Sequence, residues 1–149
     1  MTSPVSWADI VSWIPFRWQA GMRGTWKDGA GLVVDVDDAG TPRAWIRYDP
    51  EEGGCGATLV TAYGSPGWAA EVWCGAVPDI GHAPTIGGLL DVVRQVEADP
   101  AMHVAKVRPS GPRAWGVCSK RSASIVATGP TEGVALAEAL RWYVARERA

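Results

Sequence analysis

The chain has 149 residues, of which 47% are apolar and 20% charged, and its formal net charge is -2. This length allows one domain or two very small ones, and the composition excludes a disordered chain. Residues 1–100 carry six Lys or Arg against thirteen Asp or Glu, whereas residues 101–149 carry eight against three. This asymmetry predicts either a basic binding face or docking of the basic half on the acidic half of the same fold.

The sequence begins with no positive segment ahead of a long apolar run, and no stretch approaches 18 apolar residues. We therefore expect neither a signal peptide nor a membrane-spanning helix. The three cysteines, Cys55, Cys74 and Cys118, are an odd number at wide spacings, which fits neither a disulfide framework nor a metal site. They suit a reducing cytoplasm, where we expect the protein to reside.

The first half of the chain predicts a short helix followed by a small β unit. Residues 3–14 have the apolar spacing of one helical face, with Ser3 as the cap and Pro15 as the stop. Five strands separated by Gly-rich turns are predicted at 22–26, 32–37, 43–49, 57–63 and 69–74. Short strands at this spacing predict a small, strongly bent antiparallel sheet or barrel. The pattern resembles an SH3-like or Tudor-like barrel.

The second half predicts the order α-β-β-β-α after a linker at 77–84. Thr85 is the expected cap of the first helix, which ends at Asp99-Pro100. The strands are predicted at 102–108, 114–119 and 123–128, and the last helix opens after Gly129-Pro130 with Glu132 in its first turn. Two helices on one face of a three-stranded sheet form a stable two-layer unit.

The fold class is therefore predicted to be α+β, with a small antiparallel β-barrel-like unit packed against the two-layer unit. The expected units are an N-terminal helix and lead-in (1–20), an SH3-like β unit (21–76), the linker (77–84) and the α-β-β-β-α unit (85–149).

The second unit resembles the C-terminal domain of small phage and prophage proteins of an ABA-sandwich type. The resemblance is carried by PTIGGLLDVVRQVEADP, a Trp-bearing strand pair and GPTEGVALAEALR, and it covers the last 65 residues. It implies a phage or prophage origin and brings no catalytic residue. Double-stranded RNA-binding domains share the element order but open their last helix with lysines, whereas this helix opens with Glu132 and no Lys. That departure argues against RNA binding.

Tryptophan is the most unusual component, with nine residues in the chain. Six of them lie between residues 13 and 73, more than a small barrel buries easily, and exposed Trp is a typical interface anchor. The predicted protein-binding residues are Trp13, Trp18, Trp45 and Trp68, with the acidic residues Asp49, Glu51 and Glu52 steering a basic partner. The competing interpretation is a Trp-rich core with a solvated acidic rim.

The alternative function is binding of a nucleotide or nucleic acid at the strand ends and turns of the second unit. A cationic edge beside a stacking ring is typical of such binding. The predicted residues are Lys106, Arg108, Arg113, Lys120 and Arg121, with Trp115 as the ring.

Catalytic and metal-binding patterns are weak. Cys118 and His103 are the only Cys–His pair on neighbouring predicted strands, and Cys74, Asp79 and His82 lack the close spacing of a zinc site. We expect no enzyme, no metal and no cofactor. The favoured interpretation is a non-enzymatic binding protein of phage type that inhibits a host protein, such as one of host defence.

Overall fold

The computed structural model describes residues 4–27, 29–48 and 57–148, and in that part of the chain it has four helices and two antiparallel sheets. The predicted α+β class is therefore confirmed. The elements in chain order are α1 (Trp7–Val11), β1 (Arg23–Trp26), β2 (Gly29–Val36), β3 (Pro42–Tyr48), β4 (Ala57–Thr61), α2 (Pro66–Cys74), β5 (Val77–Pro78), α3 (Ala83–Glu97), β6 (Met102–Lys106), β7 (Trp115–Ser119), β8 (Ile125–Gly129) and α4 (Glu132–Arg148). No helix among the described residues is both long and apolar enough to cross a membrane.

The first sheet has five strands in the order β4-β3-β2-β1-β5. The described strands β4 and β5 lie at opposite edges, so this sheet is open and the prediction of a barrel is wrong. The physical reason is that the segment expected to supply the last strand forms helix α2, which covers one face of the sheet near β3.

Residues 69–74, predicted as a strand, lie in α2. Pro66 fits the first turn of a helix, and Ala69 and Trp73, four residues apart, share its buried face. Periodicity alone does not separate a short buried strand from a buried helix of this length. The strand that completes the sheet is β5, which lies in the predicted linker and pairs with β1.

The second sheet has the order β6-β7-β8, with α3 and α4 packed on one of its faces. The predicted cap Thr85 lies inside α3 and is buried, and its hydroxyl accepts the backbone N–H of Arg23 at 2.8 Å. At the other end of the chain, the predicted cap Ser3 lies outside the described residues. Helix α1 is capped by Ser6, which forms a reciprocal capping box with Asp9.

A single apolar core runs from α1 through both sheets to α4. Its first half is a cluster of indoles in which Trp18, Trp26 and Trp45 each meet Trp73 edge to face, at centroid distances of 4.9–5.5 Å. The boundaries predicted at residues 20, 76 and 84 stay a prediction, and the core crosses all three.

Candidate protein-binding site

Two of the four predicted Trp anchors are buried. Trp18 and Trp45 are 4% and 2% exposed, so neither ring is available to a partner, and the prediction is corrected for both. The reason is a hollow in the sheet made by Gly24 and Gly31, which face each other across β1 and β2. The absence of side chains at these two positions lets the Trp rings lie directly on the backbone.

The other two anchors reach the surface at different places. Trp13 is half-buried, stacks on Tyr143 at 6.3 Å and donates its indole N–H to Glu147. Trp68 is 47% exposed and leans on Trp45. The acidic residues predicted with them, Asp49, Glu51 and Glu52, lie outside the described residues.

An apolar groove lies between the end of α1, the β2–β3 turn and α2; we call it the α1–α2 groove. Its volume is about 370 Å³, and its lining residues are Val11, Ser12, Trp13, Ile14, Phe16, Trp18, Ala39, Gly40, Thr41, Ala70, Trp73 and Cys74. Trp13 therefore belongs to it. Trp68 does not, because Ala70 lies about 200° around the helix from Trp68.

Ile14 is the most exposed of the large apolar side chains described. It lies at the wall of the groove with 93% of its surface in water, whereas Phe16, Trp18 and Trp73 of the lining are at most 5% exposed. The exposure of Ile14 was not predicted from the sequence, because the spacing of this residue fits the apolar face of the first helix. That helix ends at Val11, so Ile14 lies beyond the face that α1 buries.

The part of the lining that belongs to the β2–β3 turn is fixed by hydrogen bonds. The Asp37 carboxylate accepts the backbone N–H groups of Ala39 and Thr41, both at 2.9 Å. Gly40 has a positive φ of 82°, and its carbonyl accepts the N–H of Trp18 at 3.0 Å. The groove is thus formed before any ligand enters.

Two exposed acidic residues adjoin the lining of the groove in sequence. Asp38 precedes Ala39 in the turn, and Glu71 follows Ala70 in α2; both side chains are exposed. Arg17 donates to the backbone carbonyl of Asp38 at 2.5 Å. Arg43, which is paired with Asp35, lies close enough to Asp38 for their charges to interact. Among the described residues, neither the Asp38 nor the Glu71 carboxylate forms a salt bridge, so both can face a cationic group.

The residues predicted for nucleic-acid binding lie at the two ends of the second sheet. Lys106 pairs with Trp115 at one end of the second sheet, and Arg108 and Arg113 follow in the adjoining loop. Lys120 and Arg121 lie beyond Ser119 at the other end of β7, about 13 Å away along a five-residue strand.

Trp115 and Arg121 also have other neighbours. Trp115 lines a cleft with Ile80 and Ile86 on the helix side of the sheet. The Arg121 guanidinium lies 3.7 Å from the Asp99 carboxylate. Among the described residues, the predicted cations thus form two separate groups, and binding of a nucleic acid by them stays a prediction.

Cys118 and His103 are cross-strand neighbours on the open face of the second sheet. Burial raises the pKa of the Cys118 thiol, and the thiol points to the carbonyl of Gly116 at 3.4 Å. A reactive cysteine needs the opposite, a lowered pKa beside a cation. The described residues contain no group of three side chains able to hold a metal ion.

No family model, no curated protein and no solved structure matches this chain. The geometry of the chain itself therefore has to support any functional proposal.

Proposed function

We propose that this chain is a non-enzymatic binding protein that holds a segment of a partner protein in the α1–α2 groove. An apolar side chain of the partner enters between Ile14 and α2, and Lys or Arg residues beside it face Asp38 and Glu71. The observation that carries this proposal is the 93% exposure of Ile14 at the wall of an apolar groove.

The energetics favour this use of the groove. Covering an isoleucine side chain contributes about 1.5–3 kcal/mol, and the buried rings of the floor need no rearrangement. Because the β2–β3 turn is already fixed, little conformational entropy is lost when a ligand binds. The exposed Asp38 and Glu71 carboxylates add attraction to a basic partner, and this attraction weakens with salt.

The phage-type and inhibitory part of the proposal rests on the sequence resemblance. If the chain comes from a phage or prophage, the partner is a host protein, and occupancy of its basic segment inhibits it. The non-enzymatic part is supported by the raised pKa of Cys118, the only thiol with a histidine as its cross-strand neighbour among the described residues.

The test uses short peptides that carry one large apolar residue flanked by either Lys and Arg or Asp and Glu. We expect the basic set to bind and the acidic set to fail, measured by fluorescence anisotropy. Ile14→Asp should weaken binding at least tenfold, which corresponds to about 1.4 kcal/mol. Ile125→Asp is the matched control, because Ile125 is 51% exposed but lies on the second sheet.

The same two variants test the host-protein part. A host protein that copurifies with the wild type and with Ile125→Asp after nuclease treatment, and is lost with Ile14→Asp, supports the proposal. Equal binding by Ile14→Asp and the wild type would rule out the groove. Capture that disappears on nuclease treatment would favour the nucleic-acid alternative instead.

A further inference from the structure

The two edges of the five-stranded sheet are built differently. The β5 edge is two residues long and contains Pro78, which has no N–H to offer, so this edge is protected against pairing. The β4 edge reads ATLVT, with no charge, proline or glycine, and four of its five residues are exposed. No described strand pairs with its outer side. An unprotected edge of this kind is a template for another strand.

The register identifies which backbone groups of β4 are free. The N–H of Ala62 donates to the carbonyl of Arg43 at 2.8 Å, so Ala62 directs its backbone groups towards β3. Pairing of β3 with β4 is regular, and in an antiparallel ladder successive residues alternate in direction. Ala57, Leu59 and Thr61 therefore direct their N–H and C=O groups outward.

These three positions are symmetric about Leu59. We propose that β4 pairs with β4 of a second copy of this chain, antiparallel, across a twofold axis at Leu59. Leu59 then lies opposite Leu59 of the partner subunit, and Ala57 lies opposite Thr61 of the partner subunit. Every outward N–H finds a carbonyl, which gives about six hydrogen bonds between the two chains.

Side chains on both faces of this seam favour the same pairing. On one face, Leu59 is 60% exposed and lines up with Ile46 and Leu32 across β3 and β2, so the dimer makes one continuous apolar row. On the other face, the same register places the half-buried Val60 opposite Thr58 of the partner subunit. The seam covers apolar surface that the monomer leaves in water.

A second copy fits this edge better than an unrelated strand. The strand has no charge with which to select a foreign partner, and its own sequence offers apolar or small side chains at every symmetric position. A twofold contact also closes on itself, which prevents growth into a longer sheet because the remaining edges are the proline-bearing β5 strands.

Sedimentation velocity across the micromolar range tests the inference. We expect the wild type to reach twice the 15.8 kDa mass of one chain. Leu59→Lys, which places two like charges at the axis, should yield monomers. Leu59→Pro should do the same, because it removes only an outward N–H. Val34→Lys is the control: Val34 is 45% exposed in β2, two strands from this edge, and this variant should stay dimeric.

Circular dichroism of each variant establishes that the monomer is folded. A wild type that stays monomeric overturns the inference, and so does a Leu59→Lys variant that still dimerises. A monomer that pairs only with an added strand-forming peptide also overturns it, because the partner is then not a second copy.

This inference is independent of the groove. Ile14→Asp should leave the mass unchanged, and Leu59→Lys should leave the affinity of each groove for a basic peptide unchanged. A failure of one proposal is therefore distinguishable from a failure of the other.

Discussion

Gly31→Ala is the sharpest test of the conclusion that the Trp-rich half is a core. A Cβ at Gly31 would lie 2.8 Å from Cη2 of Trp26 and 3.2 Å from both Cδ1 of Trp45 and Cζ2 of Trp73. Carbon atoms in contact normally lie 3.5–4.0 Å apart. Each of these rings is held edge to face by another ring, so none can withdraw without disturbing its neighbours.

The expected cost follows from two opposing effects. Ala in place of Gly in a strand gains about 0.5–1 kcal/mol, because it restricts the unfolded chain. Overpacking a core by one methyl group costs about 1–3 kcal/mol, and the fixed rings place Gly31 near the upper end of this range. The net loss is therefore about 2 kcal/mol, a large part of the stability of a domain that unfolds with about 5–15 kcal/mol.

Urea unfolding followed by Trp fluorescence measures this difference, with Gly64→Ala as the control. A Cβ at Gly64 would meet nothing within 4 Å, so that variant should match or slightly exceed the wild type. If Gly31→Ala is as stable as Gly64→Ala, the rings are not packed on the sheet as described. The Trp residues would then be free to serve as anchors, as the sequence first suggested.

Two further predictions concern titrating groups. Because burial raises the pKa of Cys118, this thiol should react with iodoacetamide at neutral pH more slowly than the exposed Cys74. Mass spectrometry of the labelled peptides measures both rates. A faster reaction at Cys118 would support a catalytic role for this thiol. The Ser119 hydroxyl at 2.6 Å and the N–H of Ala101 at 2.9 Å hold the pKa of Asp99 below its ordinary value. The stability that these two hydrogen bonds give is present above the unfolded pKa of about 3.9 and is lost as the pH falls through the folded pKa. Asp99→Asn should therefore make the free energy of unfolding depend less on pH in the acid range. An unchanged dependence on pH contradicts this prediction.

Much of the secondary structure could be predicted because long elements carry their own pattern. The stripe of Leu89 and Val93 in α3 and the strands rich in Val and Trp hold the periods that helices and strands require. Segment 69–74 could not be predicted in this way, because the nine residues of α2 form only about two and a half helical turns. The pairing of β5 with β1 could not be predicted for the same reason, because a strand of two residues is too short to show an alternating apolar pattern.

The candidate site was harder to predict than the fold. The number of Trp residues predicts a large apolar surface but does not predict whether the rings face the core or the solvent. Here rings face the core because Gly24 and Gly31 lie opposite each other on neighbouring strands. Glycines at facing positions of a predicted hairpin are a usable signal, since a pair of missing side chains in neighbouring strands leaves a hollow of the right size for a ring. Trp13, a predicted protein-binding residue, lines the groove. The exposure of Ile14 beside it depended on where α1 ends.

Ile14 and Leu59 can both be replaced with little expected effect on the stability of the folded monomer. Both side chains are mostly in water, at 93% and 60%, so replacing either removes little that the folded monomer uses. A loss of binding in Ile14→Asp or of dimerisation in Leu59→Lys can therefore be attributed to the contact itself. If the groove binds a peptide and β4 forms the dimer, each dimer presents two grooves. A sensor surface coated with the basic peptide should then retain the wild type longer than the monomeric Leu59→Lys variant. The same two proteins should bind the peptide in solution with equal affinity, because tethering adds avidity and leaves each groove unchanged.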